Sequence, residues 1–137
     1  VWAMVADVTR MGEWSPETTG AAWVKGSTGP VAGARFQGTN ANGKKHWKTG
    51  ATVLEAVPGV RFWFLVHSMG LKVAEWRYDF EPTEGGCVVT ESWVDRRGTL
   101  ASMGSPIVSG VKDRTEHNRR SMAQTLERLA DAAESGA

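Results

Sequence analysis

The fold is decided by residues 105–133, which read SPIVSGVKDRTEHNRRSMAQTLERLADAA. Side chains three or four residues apart form a stripe, which is the pattern of one face of an α-helix. The stripe consists of Ile107, Val111, Thr115, Asn118, Met122, Leu126, Leu129 and Ala133. At about 1.5 Å per residue this helix would be roughly 40 Å long. Ser105-Pro106 is a typical helix start and Ser135-Gly136 a typical stop, although Gly110 offers a later start near Val111.

The middle of this stripe is polar, because Thr115 and Asn118 interrupt an otherwise apolar face. Two interpretations are open: the rest of the protein leaves this helical turn uncovered, or the turn faces a cavity. A closely packed core would penalise unpaired polar groups at these positions.

The totals describe one domain of 137 residues, with 16 basic and 15 acidic side chains. This balance gives no overall field that would favour nucleic acid. The single Cys87 excludes an internal disulfide, fits a cytoplasmic location and has no metal-ligand spacing around it. The sequence has no apolar run long enough for a membrane span. It predicts neither a cofactor nor a metal site, and the three histidines are too scattered for a metal triad.

Most of the chain before the helix is predicted to be β-sheet. A short helix over about residues 1–10 is followed by six segments that alternate or are apolar throughout, separated by Gly, Pro and Asn turns. The predicted strands are residues 21–25, 34–39, 46–56, 60–67, 72–80 and 87–95. Residues 96–104 are predicted as a glycine-rich connection. The sequence therefore predicts an α+β fold in which an antiparallel meander curves around one long C-terminal helix.

Several stretches resemble the START-like (SRPBCC) superfamily, the polyketide cyclase/dehydrase and lipid transport group with the START/Bet v 1-like helix-grip fold. They are VWAMVAD (1–7) with EWSP (13–16), GARFQG (33–38), WRYDF (76–80), GGCVVTE (85–91), and His117-Asn118 with Met122, Thr125-Leu126 and Leu129. This family has an additional first strand before the short helix. We therefore expect that residues preceding Val1 are missing from the sequence, which would leave a sheet edge uncovered.

The resemblance implies a cavity between sheet and helix that binds an apolar small molecule, a lipid or a polyketide-like metabolite. The aromatic, polar and methionine side chains that we expect to line it are Trp14, Phe36, Trp47, Trp63, Trp76, Tyr78, Trp93, Thr115, Asn118 and Met122. Tryptophans also fill closed cores, so their number alone does not establish a pocket.

Three residues are candidates for acid–base chemistry. By the register of the family, Glu91 faces inward between Val89 and Trp93, where desolvation would raise its pKa. The alternative is that Glu91 lies at the rim or pairs with Arg77. Tyr78 points inward by alternation, and His67 lies either at the cavity mouth or on the surface.

Two main functions follow, a binding protein for a hydrophobic metabolite or an enzyme that works as a polyketide cyclase or dehydratase. The enzyme would require at least two of Glu91, Tyr78 and His67 to converge in the cavity. A third hypothesis is a protein-interaction module that uses an open sheet edge, and a homodimer is left open by the sequence.

Overall fold

The computed structural model describes residues 1–136, and for residues 99–103 it describes the backbone only. The chain begins with helix α1 (Trp2–Ala6), a 3-10 turn (Val8–Arg10) and helix α2 (Met11–Trp14). Six strands follow: β1 (Thr18–Val24), β2 (Arg35–Asn42), β3 (Lys45–Val57), β4 (Arg61–Ser68), β5 (Leu71–Thr83) and β6 (Gly86–Asp95). Helices α3 (Thr99–Ser109) and α4 (Arg114–Glu134) end the chain.

The six strands form one antiparallel sheet in sequence order, which confirms the predicted meander. Residues 25–34 connect β1 to β2, and short turns join the later strands, as at Gly43, where a positive φ of 60° closes the β2–β3 hairpin. Register shifts occur between Val53 and Glu55 and between Val66 and His67. Irregularities of this kind bend a strand, which suits a sheet that wraps around a helix.

The C-terminal helical region differs from the prediction, because it contains two helices instead of one. Gly110 adopts a φ of +73° and donates its N–H to the carbonyl of Pro106 at 2.8 Å, which ends α3. Asp113 then starts α4 by accepting the N–H of Glu116 at 3.1 Å. Pro106 lies inside α3 and does not start a helix, and the predicted connection is helical from Thr99 onward.

The closed core lies under the second half of α4. The most deeply buried side chains are those of Val8, Val53, Phe62 and Leu129. Trp2 fixes α1 to the sheet by donating its indole N–H to the carbonyl of Arg61 at 2.9 Å. The first half of α4 faces a different environment, since it lines a cavity.

Candidate ligand cavity

A cavity of about 510 Å³ lies between the inner face of the sheet and the first half of α4. Its wall is mainly apolar, and its aromatic members are Trp14, Phe36, Trp47, Phe64, Trp76, Tyr78 and Trp93. Helix α3 contributes Val108 to the wall, and the β4–β5 turn contributes Met69, which is 85% exposed. The wall therefore combines buried aromatic rings with an apolar side chain that faces solvent.

Strand alternation explains which side chains reach the cavity. Alternation turns Ala74, Trp76 and Tyr78 of β5 and Glu91 and Trp93 of β6 inward, and Leu71 and Val73 near the start of β5 also line the cavity. Trp76 and Trp93 are direct partners across these two strands, with ring centroids 6.4 Å apart. This pair forms a continuous aromatic surface next to the carboxyl group of Glu91.

Gly38 on β2 widens the cavity at a distance from β5 and β6, on the same inward face of the sheet. It lies on the inward face of β2, two residues after Phe36. A Cβ at this position would be 3.5 Å from Oγ1 of Thr49, an ordinary contact distance. A larger side chain here would extend into the cavity without a clash close to the backbone.

Glu91 and Tyr78 are hydrogen-bonded to each other in the cavity, and both have strongly raised pKa values. The Tyr78 hydroxyl donates to Oε2 of Glu91 at 2.6 Å, while Oε1 is buried and has no hydrogen-bond partner among the described residues. Burial raises the pKa of Glu91 to about 7, and the hydrogen bond from Tyr78 only partly opposes this. Burial also raises the pKa of Tyr78, with the charge and hydrogen bond of Glu91 acting in the same direction.

This geometry gives the cavity one group that can exchange a proton near neutral pH. A carboxyl group with a pKa of about 7 is partly protonated there, so it can donate or accept a hydrogen bond. Arg77 does not pair with Glu91, because it lies on the other face of the sheet with its guanidinium on Asp79 at 2.7 Å.

Polar groups on β1–β3 form a second cluster at the wall. Asn40 is 7% exposed and accepts from the Thr18 hydroxyl at 3.0 Å. Its amide nitrogen donates to Oγ1 of Thr49 at 3.1 Å. Because both ends of the amide are bonded, Asn40 is part of a satisfied network.

A third polar cluster joins α4 to the segment before β1. Nη1 of Arg114 lies 2.9 Å from both carboxylate oxygens of Glu17 and 3.2 Å from Oδ1 of Asn118. His117 adds a contact of 3.0 Å from Nε2 to Oε2 of Glu17. Arg97, a further cation on the wall, is held by Asp95 through two guanidinium contacts of 2.9 and 2.8 Å.

Eight of the predicted lining residues are on the cavity wall. They are Trp14, Phe36, Trp47, Trp76, Tyr78, Trp93, Asn118 and Met122, and Glu91 is there as well. Glu91 and Tyr78 are in direct contact, so two of the three candidate acid–base groups converge. The participation of any of these residues in binding or catalysis stays a prediction.

Trp63 does not line the cavity, which corrects its predicted position. The indole lies on the outer face of the sheet, where its N–H donates to Glu75 at 2.9 Å and Arg77 lies 5.3 Å from its ring. Strand β4 is apolar on both faces, so alternation in the sequence could not assign the side of this residue.

His67 lies on the outer face, which agrees with the surface position among its two predicted ones, and Thr115 lies outside the predicted cavity wall. The His67 ring is on the outer face, where a Cβ added to its neighbour Gly50 would be 2.5 Å from Cε1. Desolvation and the nearby charge of Arg35 lower the pKa of His67. Thr115 is exposed because α4 begins at Arg114 and turns this side chain to solvent.

Sequence reasoning missed Glu17, Arg97 and Arg114 as wall residues. Glu17 and Arg114 are far apart in the chain, and charged residues near helix and strand ends usually face solvent. The only available signal was that Arg114 occurs four residues before Asn118, on the same side of a helix.

The described residues also bear on metal binding and on membrane insertion. Their side chains contain no group of three or more His, Cys, Asp or Glu placed to hold a metal ion. None of the helices within residues 1–136 is long and apolar enough to cross a membrane.

Comparison with known families gives one match over nearly the whole chain. The profile of the family described as "Polyketide cyclase / dehydrase and lipid transport" matches residues 1–134. A comparison with curated proteins finds no match.

Solved structures provide further similarities. The polyketide_cyc-like protein Cgl2372 from Corynebacterium glutamicum is 32% identical, with 98% of this chain and 74% of that chain covered and a TM-score of 0.49. Protein NE0264 from Nitrosomonas europaea has a TM-score of 0.65 at 11% identity, with 98% and 85% covered. Protein Ms6760 from Mycobacterium smegmatis has a TM-score of 0.65 at 13% identity, with 99% and 83% covered. The last two similarities concern the fold alone.

Proposed function

The chain belongs to the polyketide cyclase / dehydrase and lipid transport family, and from this membership we propose that it binds a hydrophobic small molecule, a lipid or polyketide-like metabolite, between the sheet and α4. One observation carries the proposal, the apolar cavity of about 510 Å³. Pockets for small molecules typically have volumes of about 300–1,000 Å³ and few polar groups. Filled protein cores leave few voids larger than a water molecule, so a cavity of this size favours a binding role over a filled core.

Native mass spectrometry of freshly purified protein tests the proposal directly. We expect an apolar compound to be retained at one per chain and released on denaturation, which would identify its chemical class. A protein that carries no compound and also fails to bind the neutral apolar dye N-phenyl-1-naphthylamine would contradict the proposal.

A matched pair of variants tests whether binding occurs in this cavity. Gly38→Leu adds a side chain on the inward face of β2, whereas Gln37→Leu adds the same side chain on the exposed outer face of the same strand. Overpacking typically costs about 1–3 kcal/mol, so we expect Gly38→Leu to weaken dye binding by about fivefold to 150-fold. Gln37→Leu should change the affinity less than twofold. Equal effects of the two variants would place the dye elsewhere.

A second candidate function is acid–base catalysis on the bound molecule. It is favoured by the contact between Glu91 and Tyr78 and by the pKa of Glu91 of about 7, which suits a general acid or base near neutral pH. Once a bound compound has been identified, the protein and its Glu91→Gln variant would be incubated with it and the products separated by mass. Catalysis predicts conversion by the native protein and loss of conversion in a variant that still binds. A compound unchanged by both would leave binding as the function.

A cytoplasmic location, a single domain and a homodimer stay predictions. Light scattering during gel filtration distinguishes a dimer from a monomer by mass.

A further inference from the structure

Asn118 is a buried amide on the apolar wall whose nitrogen has no partner among the described residues. The residue is 4% exposed and belongs to the part of α4 that lines the cavity. The only hydrogen bond of its side chain among the described residues uses Oδ1, which accepts from Arg114. Two N–H donors on Nδ2 therefore remain to be satisfied.

The chemistry of Arg114 fixes which end of the amide is free. A guanidinium group only donates hydrogen bonds, so the atom that faces it at 3.2 Å must be the amide oxygen. Both carboxylate oxygens of Glu17, at 2.9 Å from Nη1, hold that guanidinium in place. With Oδ1 occupied by Arg114, Nδ2 is the end of this wall-lining amide that remains for a ligand.

A donor that a ligand cuts off from water without offering an acceptor is costly, which determines the kind of ligand that fits. An unpaired polar group of this kind costs about 1–3 kcal/mol when water is removed from it. A hydrocarbon would displace water from Nδ2 and give no hydrogen bond in return. A ligand with an oxygen acceptor would replace the lost bond, as in sites that reject analogues lacking one polar group.

The charges on the wall favour a neutral acceptor over a carboxylate. Both arginines that line the cavity within the described residues already have acidic partners, Arg97 with Asp95 and Arg114 with Glu17. Glu91 adds a carboxyl group paired only with the neutral hydroxyl of Tyr78. An anionic ligand would thus bring a charge into an apolar cavity that offers it no unpaired cation.

We propose that Asn118 determines specificity by donating a hydrogen bond from Nδ2 to a neutral carbonyl oxygen, so that the cavity selects ketones and related carbonyl compounds over hydrocarbons and carboxylates of the same shape. The inference rests on the proposed binding function and names the class of ligand for that same cavity.

Three probes of nearly equal shape test this selection: 2-acetonaphthone, 2-ethylnaphthalene and 2-naphthoate. Their affinities are measured by displacement of N-phenyl-1-naphthylamine, which is neutral and has no carbonyl group. In the native protein we expect 2-acetonaphthone to bind about tenfold more tightly than 2-ethylnaphthalene, and 2-naphthoate to bind most weakly.

Substitution of the donor should abolish this preference while leaving apolar binding intact. Asn118→Leu has a similar shape and no N–H group, so we expect the affinity ratio of ketone to hydrocarbon to fall to about one. Asn118→Ala provides the same comparison if the leucine variant does not fold. Gln124→Leu, on the exposed side of α4, should keep the native ratio.

The outcomes separate this inference from the binding function. If the dye and 2-ethylnaphthalene bind but the ketone has no advantage, or if 2-naphthoate binds most tightly, the role of Asn118 is refuted and the binding function stands. A preference that persists in both Asn118 variants also refutes it. If none of the probes and no dye bind, both the inference and the proposed function fail.

Discussion

Glu91→Gln should change the pH dependence of stability in a way that follows from the burial of this carboxyl group. The pKa of Glu91 is about 7 in the folded chain against an ordinary value of 4.5, because burial penalises the charged form. A raised folded-state pKa means that the folded chain holds the proton more tightly than the unfolded chain. The free energy of unfolding contributed by this group is therefore fully present below about pH 4.5 and is lost as the pH rises through about 7.

The magnitude follows from the interval between the two pKa values. Each unit corresponds to about 1.4 kcal/mol, so the whole interval amounts to about 3 kcal/mol. Most of it, about 2–3 kcal/mol, falls between pH 5 and pH 8. A glutamine cannot titrate, and the cost of its unpaired amide is the same at every pH. The difference in unfolding free energy, Glu91→Gln minus native, should thus rise by about 2–3 kcal/mol over this range.

Urea unfolding at pH 5, 6, 7 and 8 measures this difference, with tryptophan fluorescence and circular dichroism as signals. Glu81→Gln on β5 is the matched control, because Glu81 is exposed and lies in the same sheet. The difference in unfolding free energy between Glu81→Gln and the native protein should not change across the pH range. A Glu91→Gln difference that varies by less than about 0.5 kcal/mol would refute the desolvation argument.

Two other predictions concern the same pair and the packing of α2. Tyr78→Phe removes the hydrogen bond that lowers the pKa of Glu91. The pH at which the free energy of unfolding falls should therefore move upward in the same urea series. An unchanged or lower pH for this fall would contradict the prediction. Gly12→Ala should lower the free energy of unfolding by about 1–3 kcal/mol, since its Cβ would lie 2.6 Å from the carbonyl oxygen of Thr19, whereas Gly29→Ala, in open space, should be neutral or slightly stabilising. Similar urea midpoints for these two glycine variants would contradict the prediction and show that the backbone near α2 can move at little cost.

The strands were predictable because their signals are local. Alternation on residues 72–80 and the Asn-Gly turn before β3 depend only on neighbouring side chains, and both lie where the sequence placed them. The break between α3 and α4 was harder to predict. A glycine inside a helix costs only about 1 kcal/mol, so Gly110 alone did not decide between one helix and two.

For some residues, the face of the strand or helix on which they lie depended on contacts that the hydrophobic periodicity does not encode. Trp63 lies on an apolar strand, and its side is set by pairing with Arg77 on β5 and with Glu55 on β3. Thr115 is exposed, contrary to the prediction, because α4 begins at Arg114 and its buried face passes through Asn118 and Thr125.

The sequence by itself determined the antiparallel meander, a helix after it and the inward direction of Tyr78, whereas the inward direction of Glu91 was implied only by the family resemblance. Only the tertiary structure decided that these two side chains touch, and that Arg114, held by Glu17, donates to the amide oxygen of Asn118. The physical reason is the range of the interactions. Helix and strand periods arise from residues a few positions apart, whereas a hydrogen bond between distant residues depends on strand register and on how α4 lies against the sheet.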